Sequence, residues 1–158
     1  TAPESLSPRA KTHNYLNLIM ADLETKAANP ESWPMLLDVN GNLSEAMGCN
    51  VFLVRDGGLL TPREQFVLPG ISRAMVMELA AEMDIPCVEK DVDVFDAMNA
   101  DEIFLSSTSL GMCPVRSING SSIGAGTVPG TITGKLLNAY SEAVGCDIVG
   151  QYLARLDS

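Results

Sequence analysis

The sequence predicts a single mixed α/β domain, and three observations carry that prediction. At 158 residues the chain is long enough to bury one true core. Its hydrophobic and charged fractions, 46% and 19%, are those of a globular chain rather than a disordered one. Segments with helical spacing alternate with short β-rich runs punctuated by Asn-Gly and Gly-Gly turns, with no internal repeat and no boundary inside the chain.

Residues 1–10 read as an extended connector, because the first eight hold two prolines and three hydroxyl residues. Residues 12–28 read as a helix with apolar positions Tyr15, Leu16, Leu18, Ile19, Leu23 and Ala27, ended by Asn29-Pro30. Met35-Leu36-Leu37 is a short buried-strand signal. Asn40-Gly41 turns it into a return strand, Leu43-Ser44-Glu45. The β-rich run 49–54 turns at Arg55-Asp56-Gly57-Gly58 into Leu59-Leu60, so the segment reads as a meander.

Residues 71–83 give the strongest helix, with Ile71, Met75, Val76, Leu79 and Met83 as its core stripe. Pro69-Gly70 before it leaves the backbone N–H groups of Ile71 and Ser72 free, an arrangement that attracts anions. Residues 85–89 read as a strand and 92–98 as a short helix with Phe95 inward. The strand 103–106 runs into Ser107-Thr108-Ser109, making four consecutive hydroxyls from Ser106, a run able to hold a phosphate or carboxylate. Residues 112–118 read as a strand followed by an Asn119-Gly120 turn, and 131–144 as a helix stopped by Gly145. The tail has room for one or two further turns.

Composition excludes several function classes. A net charge of −10 argues against nucleic-acid binding, which needs clustered Lys and Arg. No apolar run approaches the length of a membrane span. Four scattered cysteines with one histidine disfavour a metal site and read as reduced thiols of a cytoplasmic protein. No Gly-x-Ser-x-Gly elbow accompanies His13, which disfavours a serine-hydrolase triad. The glycines at 124, 126 and 130 match neither a dinucleotide fingerprint nor a Walker loop.

The order of particular motifs adds a further reading. They are Lys11-x-x-Asn14-Tyr15-Leu16, Asp38-x-x-Gly41-x-x-Ser44-Glu45 with Asn50-Val51-Phe52, and Thr61-Pro62. Leu68-Pro69-Gly70-Ile71-Ser72-Arg73, Ala100-Asp101-Glu102 with Phe104, Ser107-Thr108 and Pro114-Val115 follow. In this order, over about residues 8–140, they resemble the class IV (fold type IV) pyridoxal-phosphate-dependent aminotransferases. That family includes branched-chain and D-amino acid aminotransferases, (R)-selective amine transaminases and aminodeoxychorismate lyase.

The resemblance implies a C-terminal domain with a mixed sheet or pseudo-barrel packed with helices, spanning residues 11–158, and a preceding family N-terminal domain outside this chain. It implies pyridoxal 5'-phosphate as cofactor, an amino acid or amine as donor, a 2-oxo acid as acceptor, and a homodimer. Lys11 matches the Schiff-base lysine and proton shuttle; a primary amine is what such an exchange needs. Glu45 matches the carboxylate that faces the pyridine nitrogen, Tyr15 the phenol at the ring oxygen, and Leu68 the side chain against the ring face. Gly70 with the N–H groups of Ile71 and Ser72, the Ser72 hydroxyl and Thr108 match the phosphate cup, and Thr108 with Ser109 the loop that receives the substrate carboxylate. Taken separately, Lys11, Glu45, the helix start and the hydroxyl run each have an ordinary local explanation; one cofactor accounts for all four.

The sequence departs from the family pattern in three places. Ala46-Met47 follows Glu45 where relatives carry Gly and another small residue, a change expected to narrow the space beside the ring or shift the turn. Ser72 replaces a common threonine. Leu110-Gly111-Met112 lacks the Glu-Ile-Thr run of many amino acid aminotransferases. The alternatives to a transaminase are a lyase of the aminodeoxychorismate type on the same cofactor, or a non-catalytic structural fragment.

Overall fold

The computed structural model describes residues 3, 4 and 6–156. Thr1, Ala2 and Ser5 of the expected connector, and Asp157 and Ser158 at the end of the expected domain, lie outside the described residues. The described part of residues 1–10 carries turns and bends but no helix or strand.

Strand β3 (Cys49–Arg55) is the centre of a seven-stranded sheet. One of its edges pairs antiparallel with β6 (Glu102–Ser107) over the register Asn50↔Ser106 to Val54↔Glu102. The other edge carries β2 (Leu43–Ala46) at one end and β4 (Gly58–Thr61) at the other, as the two turns of the meander dictate. β1 (Met35–Leu37) pairs with β2, and β7 (Gly111–Val115) with β6. β5 (Cys87–Glu89) lies parallel to β4, reached by a crossover through helix α2 (Ile71–Glu82). The sheet is therefore mixed, as expected.

β3 reads as a continuous apolar run because both its faces are covered. Phe52, Val54 and Phe104 pack beneath α2 and α4 (Thr131–Val144), against Val76, Leu79, Leu136, Leu137 and Tyr140. Val51, Leu53, Ile103 and Leu105 form a second core with Leu43, Val92, Ala97, Ala100 and Ile123. The Phe52 and Phe104 rings stack with centroids 5.0 Å apart, a pair set by their direct opposition in the ladder.

Four expectations change. The first helix, α1 (Leu16–Ala28), starts later because His13 adopts a left-handed backbone (φ 60°), which a helix cannot accommodate. Ile71 is 84% exposed and not a core residue. As the first residue of α2 it lies at the helix end, and the buried stripe is Ser72, Arg73, Val76, Leu79 and Ala80. Phe95 is 71% exposed, not inward. The reciprocal capping box of Asp93 and Asp96 fixes the turn of helix α3 (Val94–Met98) so that Ala97 is its buried residue. Residues 112–118 form not one strand but the end of β7 and a separate β8 (Ser117–Ile118), which pairs across the Asn119-Gly120 turn with β9 (Ser121–Ser122). The tail forms a further helix, α5 (Ile148–Leu156).

Candidate active site

The sheet face beneath α2 is apolar along the row Phe52–Phe104 and polar one row further on. There Glu45 on β2, Asn50 on β3 and Ser106 on β6 stand opposite one another in register, and directly opposed residues share a face. This polar row lies where the N-terminal end of α2 stops covering the sheet. The result is a cavity of about 810 Å³, walled by these three residues, by residues 66 and 68–72, by 106–108 and by the segment 6–15.

Leu68 is fixed at both of its backbone polar groups. Its N–H donates to Glu45 Oε1, and its carbonyl accepts from Asn50 Nδ2 at 2.9 Å. Gly70 follows as the N-cap of α2 with no side-chain cap, so the first N–H groups of the helix are offered to the cavity. Its lack of a side chain is required here, since a Cβ would run into Asn50 Oδ1. Ser72, 5% exposed, follows in the first turn, with its Oγ 3.2 Å from the Tyr140 hydroxyl on α4. Burial pushes the Glu45 carboxyl above the usual carboxylate range, and the Leu68 N–H offsets only part of that rise.

Ser106 tests whether this wall fits a bound polar group. It is 1% exposed, and its Oγ has no partner among the described residues. An orphaned buried hydroxyl costs about 1–3 kcal/mol, and in a cavity wall a ligand oxygen would remove that cost. The donor set of helix N–H groups, Ser72, Ser106 and Thr108 on one side and a carboxylate on the other fits a group that is anionic at one end and protonated at the other.

Of the residues expected from sequence, Lys11, Tyr15, Glu45, Leu68, Gly70, Ile71, Ser72 and Thr108 all line this one cavity. Lys11 lies at its exposed rim in an irregular segment. Tyr15 is 46% exposed, with the His13 ring stacked on it at 5.7 Å. Ser109 does not line the cavity; its Oγ pairs with Ser107 Oγ at 3.2 Å, and its carbonyl accepts from Tyr152 on α5. The departure after Glu45 divides in two. Ala46 is buried in the second core, whereas Met47 lines the cavity before the left-handed Gly48 (φ 70°). Sequence reasoning missed Asn50 as a site residue, though a polar position in the otherwise apolar run 49–54 was the available signal; Ser106 it counted only as the first of the hydroxyl run, with no role of its own. Residues 6–10, read as connector, also form part of the wall. Among the described residues there is no His, Cys, Asp and Glu cluster suited to a metal ion, and no helix long and apolar enough to cross a membrane.

Comparison with known proteins supplies the context for this cavity. A family profile described as Amino-transferase class IV matches residues 1–118. The chain is 36% identical over 141 residues to the branched-chain-amino-acid aminotransferase of Escherichia coli (strain K12), covering 88% of this chain and 45% of that protein. It is also 36% identical over 141 residues to branched-chain-amino-acid aminotransferase-like protein 2 of Arabidopsis thaliana, covering 89% of this chain and 25% of that one. The chain thus spans at most about half the length of these relatives.

Among solved structures, the Escherichia coli branched-chain amino acid aminotransferase superposes with a TM-score of 0.83 at 35% identity, covering 89% of this chain and 48% of that one. The branched-chain aminotransferase of the thermophilic archaeon Thermoproteus uzoniensis, solved with norvaline, gives 0.81 at 33% identity, covering 89% and 46%. A further branched-chain amino acid aminotransferase, solved with pyridoxamine 5'-phosphate, gives 0.85 at 31% identity, covering 91% and 48%. Matched by the family profile over residues 1–118 and folded like these enzymes, the chain belongs to the class IV aminotransferases.

Proposed function

We propose that this chain is the cofactor-binding part of a pyridoxal-phosphate-dependent transaminase that moves an amino group between an amino acid, of the branched-chain type, and a 2-oxo acid. The observation that carries the reading is the convergence of Lys11, Glu45, Leu68, the start of α2, Ser106 and Thr108 on a single cavity. The relatives' names favour a branched-chain substrate and a transaminase over the lyase alternative. Residues 11–158 are the domain concerned, and the remaining wall of the site belongs to residues outside this chain.

Pyridoxal phosphate, when bound, supplies an electron sink that stabilises negative charge at the substrate carbon. The chain's residues would act around it. Lys11 would supply the amine that binds the cofactor's carbonyl carbon, and the same amine would carry a proton to and from the reacting carbon. Glu45, with one oxygen committed to Leu68, offers the other to the protonated ring nitrogen. Leu68 supports the ring, held in place by Glu45 and Asn50. The N–H groups of Ile71 and Ser72, the Ser72 hydroxyl and Thr108 take the phosphate. Tyr15 would serve the ring oxygen, and the loop 107–109 would serve the substrate carboxylate through Thr108, since Ser109 lies outside the cavity.

Homodimerisation is part of the same proposal. α1 has no buried residue, and Leu16, Ile19, Met20 and Leu23 form one exposed apolar face at helical spacing, which a second copy would cover. Cytoplasmic residence follows only from the reduced-thiol reading of the four free cysteines.

The test is a titration of the intact polypeptide that carries this chain with pyridoxal phosphate. A new visible absorbance band, abolished in Lys11→Ala, is expected, together with amino transfer from a branched-chain amino acid to a 2-oxo acid. A band that survives in Lys11→Ala rejects the role of Lys11. Pyruvate released from aminodeoxychorismate without an amino acceptor supports the lyase instead.

A further inference from the structure

Tyr140 belongs to α4, far from the sequence motifs of the cavity, yet its hydroxyl reaches the first turn of α2. It is 6% exposed, and it donates to Ser72 Oγ at 3.2 Å across a sequence separation of 68 residues. The same ring lies beside the other half of the anion cup. A Cβ added to Gly111, which closes the turn bearing Thr108, would stand 3.7 Å from Tyr140 Cε1. One buried side chain thus bonds to one of the segments that present donors to the cavity and lies close to the other.

Proton accounting gives this contact a consequence. A phenol and a serine hydroxyl carry one proton each. Among the described residues the Tyr140 hydroxyl has this one hydrogen bond, and it donates there. Ser72 then accepts from behind, and its own proton has the cavity as its outlet. A hydroxyl so polarised is a stronger and better aimed donor to an anion than a freely rotating one.

We propose that Tyr140 is a positioning residue for the anion subsite, fixing the Ser72 hydroxyl as a donor to the phosphate end of the ligand. This rests on the reading of the cavity as a pyridoxal-phosphate site. Tyr140 touches no reacting atom; it acts through Ser72.

The experiment compares pyridoxal phosphate with pyridoxal, which lacks the phosphate, by absorbance titration of the intact polypeptide. Tyr140→Phe keeps the ring and removes only the hydroxyl. It is expected to weaken pyridoxal phosphate about fivefold, the loss of one ordinary hydrogen bond, while leaving pyridoxal unchanged. Ser72→Ala shows the same selective loss, and Tyr140→Phe adds nothing in that background. Tyr140→Met, which also fills the site without a hydroxyl, is expected to show the same selective loss and supplies the test should the phenylalanine variant fail to fold. Equal weakening of both ligands, or additivity with Ser72→Ala, overturns the proposal. A wild-type protein that binds neither ligand through Lys11 would instead sink the functional reading itself.

Discussion

Glu45 and Asn50 oppose each other across β2 and β3, and between them they hold both backbone polar groups of Leu68. A loop residue gripped at N–H and C=O by neighbouring strands has no freedom to drift, as the ring support proposed for Leu68 would require. Asn50→Ala leaves the Leu68 carbonyl unpaired at a part-buried site and should destabilise the fold by about 1–2 kcal/mol. Urea denaturation measures this, and a shift within error would show that the carbonyl finds water at no cost.

Gly70 depends on the same asparagine. Its backbone (φ −69°) accepts any residue, so a substitution there is limited by space alone. In Gly70→Ala the new methyl meets Asn50 Oδ1 and breaks the bond to Leu68. Ligand affinity should fall in Gly70→Ala and recover in part when Asn50 is shortened to Ser in the same chain. A double variant no better than Gly70→Ala would place the clash elsewhere.

The raised Glu45 carboxyl has a stability consequence of defined sign. The folded state holds this proton more tightly than the unfolded chain, so protonation favours folding and the ionised form costs stability as pH rises through the folded value. Glu45→Gln, permanently neutral, should therefore make the ligand-free protein more stable than wild type at neutral pH. The difference should vanish as the medium is acidified through the ordinary glutamate range. On the proposed function, the same variant should also lose amino transfer, because the cofactor's ring nitrogen would lose its anionic partner. Thermal unfolding against pH gives the first result, and a difference independent of pH would contradict burial as the cause.

Glu102 is a separate structural device. Its two carboxylate oxygens accept from Ile132 N–H at 2.9 Å and Thr133 N–H at 2.7 Å, capping α4 from a neighbouring strand. Glu102→Ala should cost about 1–2 kcal/mol, the loss of a charged cap, with ligand affinity unchanged at temperatures where the protein stays folded. A selective loss of affinity would mean that α4 position, and with it Tyr140, depends on this cap.

What was legible in the sequence was local. Asn40-Gly41 and Gly57-Gly58 announce the meander, and Gly145 ends α4 in the left-handed conformation (φ 64°) expected of such a stop. The cavity residues were legible through motif order, which carries information that propensity does not. Pairing decides the rest. Asn50 and Ser106 become one polar row only once β3 and β6 are in register, and the Tyr140 contact spans 68 residues. Ile71 and Phe95 were misread because helical spacing shows which residues share a stripe, not where the helix end or a capping box directs it.

Arg73 offers the last test, since its position is electrostatically awkward. It is 5% exposed in the first turn of α2, where the helix dipole disfavours a cation. Glu89 Oε2 at 2.9 Å and the Pro62 carbonyl at 3.1 Å compensate it, tying α2 to the ends of β4 and β5, while Nε has no partner among the described residues. Removing Glu89 leaves that cation with the Pro62 carbonyl but no anion, and because the Glu89 side chain is 35% exposed, Glu89→Ala should destabilise by about 2 kcal/mol, between a buried and a surface pair. Arg73→Met with Glu89→Ala should cost much less than the two single changes added together, since no buried charge is left behind. Denaturant midpoints of the four proteins give the coupling. Additive effects would mean that Arg73 is held by the Pro62 carbonyl and its packing, with the ion pair contributing nothing.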